Sequence, residues 1–304
     1  MQDTAEMEKF KIFGDETVGR MFLPDGVSYN DVRAFHISPL HGRAVALKLP
    51  DSEWISVKGG GWNYGGPQVY LSRKDDELAL GLYPLSAAER ELAVSREIEK
   101  FSDDFPKVLY YRKLSDRDLP EKYAGLRNAR FANGEPIEPC LLYTKLECPC
   151  RVADLMYFSD DGKAVAVNQC CARWGISPSG YTDKFIEVLA ARVALLHKNG
   201  FINDTLEYSN VTMLAEIVDY EWVTAPGIKL PDGTYGDRIR DERKEKELLY
   251  GAEVCLQLKA LLHEKYDLFD IYAAFVASYG RVEPRFASEN DGVQRILKKE
   301  DIIL

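Results

Sequence analysis

The chain has 304 residues, 46% of them hydrophobic and 29% charged, an ordinary globular composition whose length suits two domains or lobes. Its formal net charge of −10 gives no general field for attracting nucleic acid or anionic lipid, so neither is expected as a partner, and no run of about 18 apolar residues marks a membrane span. The polar N-terminal stretch from Met1 to Lys9 lacks the apolar centre of a secretory signal, which predicts a cytoplasmic protein. Its cysteines (Cys140, Cys148, Cys150, Cys170, Cys171 and Cys255) are then expected as reduced, mostly buried thiols. The spacings of Cys148-Pro149-Cys150 and Cys170-Cys171 are not the usual pairs of a zinc site.

The first third reads as strands. Residues 43–49 alternate and end at the turn signal Pro50-Asp51. Residues 53–58 alternate again, with Trp54, Ser56 and Lys58 on one face and Ile55 and Val57 on the other. Together the two stretches predict an antiparallel hairpin. Gly59-Gly60-Gly61 and Gly65-Gly66-Pro67 follow as a glycine-rich segment rather than a regular element. Ser86 with Glu89 three residues on reads as a capping box that opens a helix over 86–101, with Glu91 able to point to its inner side. Residues 102–138 are polar and read as strand and loop insertions. Residues 139–145 read as a buried strand, and Cys148-Pro149-Cys150-Arg151 reads as a linker.

The second half reads as helical. Phe185, Ile186, Leu189, Val193 and Leu196 recur at helical spacing over 183–199, and Gly200 supplies a stop. A hairpin is expected between Asn210 and Asp219. Further helices are expected from about residue 237 and over 268–279, and the charge run 241–247 reads as a solvated helix face. His197, near a helix end, reads as a cation suited to the helix dipole.

Asn210 and Asp219 bracket a short apolar run, and an amide and a carboxylate at the ends of a hairpin can converge on Mg²⁺, which takes hard oxygen ligands and shares them with phosphates. A nucleotide-triphosphate enzyme needs fixed cations on the phosphates, a metal held by oxygen ligands and a rigid frame to aim them. The order of Lys58, helix residue Glu91, Asn210, a strand and then Asp219 can supply all three. The fold expected is α+β and bilobal, of the protein-kinase type. Residues 1–146 would form a β-rich N-lobe that binds phosphates. Residues 147–304 would form a helical C-lobe with the metal-binding hairpin.

In its motifs the chain resembles a short, divergent member of the selenoprotein O family of kinase-fold AMPylases. His41-Gly42-Arg43-Ala44, followed by Trp54-Ile55-Ser56-Val57-Lys58-Gly59-Gly60-Gly61, resembles that family's Gly-Asp-Gly-Arg-Ala strand and Leu-Gln-Leu-Lys-Gly-Ala-Gly segment. Arg90-Glu91-Leu92-Ala93 resembles its Arg-Glu-Phe-Leu-Ala helix. Lys145 and Arg151 fall where the family keeps two arginines around its hinge, and Asn210 to Asp219-Tyr220 matches its Asp-Asn…Asp-Tyr-Gly segment with the same Asn-to-Asp spacing. The similar blocks are scattered over residues 35–222.

The resemblance implies that ATP binds inverted relative to ordinary kinases, so that AMP rather than phosphate passes to a protein or peptide acceptor. By it, Lys58 would hold phosphates and pair with Glu91. Arg43, Lys145 and Arg151 would grip phosphates, Gly42 would allow their close approach, and Asn210 and Asp219 would bind Mg²⁺.

Four departures stand beside it, one being Leu40 where the family has its first glycine, although Gly42 is kept. Ser209 occupies the position of the family's catalytic aspartate, with Asp204 and Glu207 as nearby substitutes, and loss of a general base typically slows a reaction by about 10²–10⁴-fold. Lys145 lacks the planar two-pronged grip of an arginine. No cysteine follows Cys255 to serve the family's C-terminal redox control. The alternatives are a kinase or other ATP-dependent transferase on the same fold, an ATP-binding pseudoenzyme, and a protein that binds no nucleotide.

Overall fold

The computed structural model describes residues 26–27, 31–36, 38, 44–50, 54–59, 83–115, 138–230 and 241–298. It is a mixed α+β protein that falls into two compact units, one of Met1–Arg96 with Pro106–Pro149 and the other of Glu97–Phe105 with Cys150–Leu304. No helix among the described residues is long and apolar enough to cross a membrane.

The first unit is built on an antiparallel sheet. Its strands are β1 (Ala34–His36), β2 (Ala44–Lys48), β3 (Trp54–Lys58), β4 (Tyr83–Pro84), β5 (Lys107–Lys113) and β6 (Pro139–Leu146), in the order β1-β2-β3-β6-β4, with β5 also on β6. The hairpin of β2 and β3 pairs Ala44 with Lys58 and Lys48 with Trp54. Ile55 and Val57 are buried, while Trp54, Ser56 and Lys58 are half-buried, as strand alternation requires. β6 is the central strand: Lys58 pairs with Leu142 on one edge, and Tyr83 takes over near that end by pairing with Cys140. Leu47, Val57, Tyr83, Leu141 and Tyr143 are fully or almost fully buried.

Helix α1 (Leu85–Ile98) follows β4 without a loop. Ser86 therefore lies inside its first turn rather than capping it. The N–H of Leu85 is satisfied instead by the carbonyl of Glu138, at 2.8 Å, so a tertiary contact stands where a local capping box was expected. Ala87, Ala88, Glu91, Val94, Ser95 and Ile98 form the buried side of α1, and the Ser95 hydroxyl accepts from the N–H of Val108 in β5 at 2.9 Å.

The second unit is mainly helical. A 3₁₀ turn (Val152–Tyr157) leads into α2 (Asp160–Trp174), whose N-terminus is capped by the Ser159 hydroxyl accepting from Gly162 N–H at 3.2 Å. This helix has no counterpart in the periodicity reading, because only Cys170 and Cys171 in it are buried and no apolar stripe marks it. Helix α3 (Tyr181–Lys198) buries Phe185, Leu189, Val193 and Leu196, each contributing roughly 1.5–3 kcal/mol relative to an exposed position.

Strands β7 (Ile202–Asn203) and β8 (Val223–Thr224) form a two-stranded ribbon. Helices α4 (Asp241–Leu261), α5 (Leu268–Gly280), α6 (Pro284–Glu289) and α7 (Asp291–Leu297) complete the unit. Gly251 of α4 lets α5 approach closely, since a Cβ there would stand 2.3 Å from the ring of Phe275. All the cysteines are free thiols.

Candidate functional site

In the first unit the sheet and α1 bring Lys58 and Glu91 together. The Lys58 ammonium donates to Glu91 Oε1 at 2.8 Å, and their side chains are 12% and 4% exposed. Tyr83 completes the cluster. It is fully buried, its hydroxyl donates to the same carboxylate oxygen, and the Lys58 Nζ stands 4.2 Å from its ring centroid. The placement follows from β pairing, because Lys58, Tyr83 and Cys140 share one face of the sheet: Lys58 opposes Leu142, two residues along β6 from the Cys140 that opposes Tyr83.

Gly59 makes the junction possible. Its φ is +93°, and a Cβ there would lie 2.4 Å from the Cys140 carbonyl oxygen and 2.8 Å from Tyr83 Cβ. Cys140 senses the same cluster: burial, and then the negative charge of Glu91, pushes its thiol up to about 12, which keeps it protonated and inert.

Lys145 is not brought to this cluster by the sheet. It pairs with Ile55, three residues (an odd number) from Lys58, so the pleat assigns it to the opposite face. Gly42 and Arg43 lie outside the described residues, as do His41 and the glycine-rich segment from Gly60 onward.

In the second unit the structure gathers Arg151, Ser209 and Asn210. The Arg151 guanidinium Nη1 donates to the Ser209 carbonyl at 2.5 Å and to Asn210 Oδ1 at 3.2 Å. Arg151 is itself fixed by its N–H donating to the buried carboxylate of Asp154 at 2.8 Å and by a bridge to Thr212.

The expected hairpin is present as a tight turn. Val211 bridges Ile217, Thr212 N–H donates to Glu216 O at 2.9 Å, and Val218 N–H donates to Asn210 O at 2.9 Å. Asp219 follows at once in a left-handed conformation, φ 68° and ψ 77°. Strict alternation would send its side chain to the face opposite Asn210, and the left-handed residue removes that constraint. Such a conformation is uncommon for a residue other than glycine and clusters at functional sites.

A hydrogen-bonded chain, not anticipated from sequence, sets the Asn210 loop. Asn210 Nδ2 donates to Thr205 O at 3.0 Å. The Thr205 N–H and hydroxyl both donate to Asn203 Oδ1 at 3.0 Å, and the Asn203 N–H donates to the Glu247 carboxylate at 3.0 Å. Glu247 is 2% exposed and lies 2.9 Å from His197 Nε2, whose Nδ1 is 2.9 Å from the Tyr279 hydroxyl. His197, in the last turn of α3 as expected, is buried against a carboxylate, and one expectation changes: the last residue of the charge run 241–247 is buried rather than on a solvated face. Burial pushes the Glu247 carboxyl above its ordinary range, opposed in part by His197.

The two carboxylates nearest the base position have different surroundings. Asp204 is held by Arg243 and accepts from the Thr224 hydroxyl at 3.2 Å. Glu207 is exposed and accepts from the Ser209 hydroxyl at 2.5 Å.

Asn210 Oδ1 accepts from Arg151, and Asp219 carries a carboxylate at the end of the turn; both are oxygen groups. No protein-family model matches the chain, and no curated protein matches it.

Proposed function

We propose that the protein binds Mg-ATP on a two-lobed, protein-kinase-like frame and transfers AMP to a protein or peptide acceptor. The observation that carries this reading is the buried ion pair of Lys58 and Glu91. A strand lysine taken out of water and fixed on a helix carboxylate is costly to build for stability alone, because desolvation offsets most of the attraction. Held in this way, its ammonium is a pre-oriented cation for phosphate oxygens. In the helical unit, Arg151 is a second cation fixed in place, its backbone N–H anchored on Asp154. Asn210 and Asp219 would hold Mg²⁺, which would neutralise phosphate charge. Lys145, on the opposite sheet face from Lys58, is left out of the phosphate-binding set.

In the transfer, an acceptor oxygen attacks the α-phosphorus, the bond from that phosphorus to the bridging oxygen of the β-phosphate breaks, and pyrophosphate leaves. Glu207, exposed and accepting from the Ser209 hydroxyl, is the base this reading favours over Asp204, which accepts from both Arg243 and Thr224.

One observation favours a second reading, an ATP-binding pseudoenzyme. By the resemblance Ser209 falls at the base position, and a serine hydroxyl, here donating to Glu207, is too weakly basic to take a proton unaided.

Incubation with Mg²⁺ and ATP labelled at the α- or the γ-phosphate tests both readings. Covalent label from the α position alone is the expected result. Label from the γ position alone would replace AMP transfer by phosphoryl transfer. A Mg-ATP-dependent rise in Tm with no label from either position would establish the pseudoenzyme.

A further inference from the structure

We infer that Tyr83 is a positioning residue that locks the Lys58–Glu91 pair, working from both of its ends at once. The inference deepens the nucleotide reading of that pair and takes its function from it. The geometry stands on its own. Tyr83 is fully buried, its hydroxyl donates to Glu91 Oε1, and its ring lies 4.2 Å from the Lys58 ammonium that donates to the same oxygen.

These contacts do different things. The hydroxyl fixes the carboxylate with a charge-assisted hydrogen bond. The ring face attracts the ammonium through its quadrupole, an interaction that strengthens as water is excluded. A lysine has four rotatable bonds along its stem, so an ion pair alone leaves its head free to swing around the carboxylate. A second contact from a direction other than the carboxylate removes that freedom.

The backbone supports the same assignment. Tyr83 opposes Cys140 in the sheet, directly beside the strand end that carries Lys58, and it is two residues before the first residue of α1, which carries Glu91. The carbonyl of Glu138 accepts from Leu85 N–H at 2.8 Å, tying the start of α1 to the end of β6. Gly59 is what admits Tyr83: its +93° backbone turns the chain after Lys58 within 2.8 Å of Tyr83 Cβ, measured from where its own Cβ would stand. Tyr83 thus links the strand bearing the lysine to the helix bearing the glutamate. A hydrophobic residue of similar size would fill the space and supply no bond to Glu91.

The test is the reactivity of Lys58 towards acetic anhydride in the full chain without nucleotide, read by peptide mass spectrometry. Lys145, half-buried on the opposite face of the same sheet, serves as the internal reference. Tyr83→Phe keeps the ring and removes the hydroxyl. It should raise the rate at Lys58 relative to Lys145 by about fivefold, the factor of one lost hydrogen bond. Tyr83→Leu removes the ring as well and should raise it further. In a Glu91→Leu background, which removes the shared acceptor, Tyr83→Phe should add nothing more, because its hydroxyl acts through that side chain.

An unchanged or lower Lys58 rate in Tyr83→Phe overturns the inference, as does an equal rise at Lys58 and Lys145, which would signal general loosening. With Mg-ATP, Tyr83→Phe should raise KM for ATP and lower transfer of the α-label. A wild-type chain that takes no label and shows no Mg-ATP-dependent rise in Tm, in a protein where Tyr83→Phe still frees Lys58, overturns the nucleotide reading and leaves the positioning role of Tyr83 standing.

Discussion

Lys58 in the sheet unit is held by charge, and Asn210 in the helical unit is held by hydrogen bonds that mostly end on the backbone. The first arrangement concentrates its energy in one buried pair with Tyr83 beside it. The second spreads it along a chain from Asn210 through Thr205 and Asn203 to Glu247 and His197. A buried pair gains little over an apolar replacement but costs much when one member is lost. A distributed network loses about one bond at a time. The two regions should therefore break differently.

The sharpest contrast comes from Lys58→Met. It leaves the Glu91 carboxylate buried without its ammonium partner, and urea unfolding should show a loss of about 3–5 kcal/mol. Adding Glu91→Leu to it should recover most of that loss, because no buried charge remains. If the single variant is as stable as the double, the pair is not held by charge in the way described.

Asn210→Ala is the matching change in the other unit. It removes an acceptor for Arg151 and a donor to Thr205 O, and should cost about 2 kcal/mol in the same measurement. Its larger effect falls on function: Mg²⁺-dependent transfer of the α-label should drop by about 10²-fold, as for removal of one fixed electrostatic group. A loss of stability as large as that of Lys58→Met would erase the contrast between the two regions.

The smallest effect concerns Glu247. Burial raises its carboxyl above the ordinary value of 4.5 in the folded protein. The folded state then binds that proton more tightly than the unfolded state. Its contribution is full below the unfolded value and is lost as pH rises through the folded value. The unfolding free energy of the wild type relative to Glu247→Gln should therefore fall as pH rises from about 4.5 towards neutrality, with a slope of at most ~1.4 kcal/mol per pH unit, and its Tm should fall with it. A constant difference across that range, followed by calorimetry, would mean that Glu247 does not titrate there.

Much of the local structure was legible from spacing. The alternation of 53–58 gave β3 and its buried Ile55 and Val57, and the apolar stripe of 183–199 gave α3. Both signals are periodic and follow directly from which side faces the core. Glu91 was legible as an inward residue for the same reason, and it is 3% exposed. Two local signals were overridden by neighbours. Ser86 lost its capping role because β4 runs straight into α1 and Glu138 supplies the acceptor. Glu247 was concealed in a charge run, because nothing in seven successive polar residues reveals which one meets His197, fifty positions away.

The sequence by itself determined the residue types, the strongly periodic elements and the order in which the candidate residues appear: a strand lysine, a helix glutamate, then an asparagine and an aspartate bracketing a hairpin. These are properties of local pattern, and a short stretch of chain carries them. Only the tertiary structure decided which groups meet. It brought Tyr83 to both Lys58 and Glu91 through the pairing of β4 with β6. The register of β3 on β6 turned Lys145 to the far face. A buried carboxylate on α4 came to lie under the loop that carries Asn210. Contacts of this kind join residues far apart in the chain, and their energies depend on burial, which local pattern reports only as an average over a face.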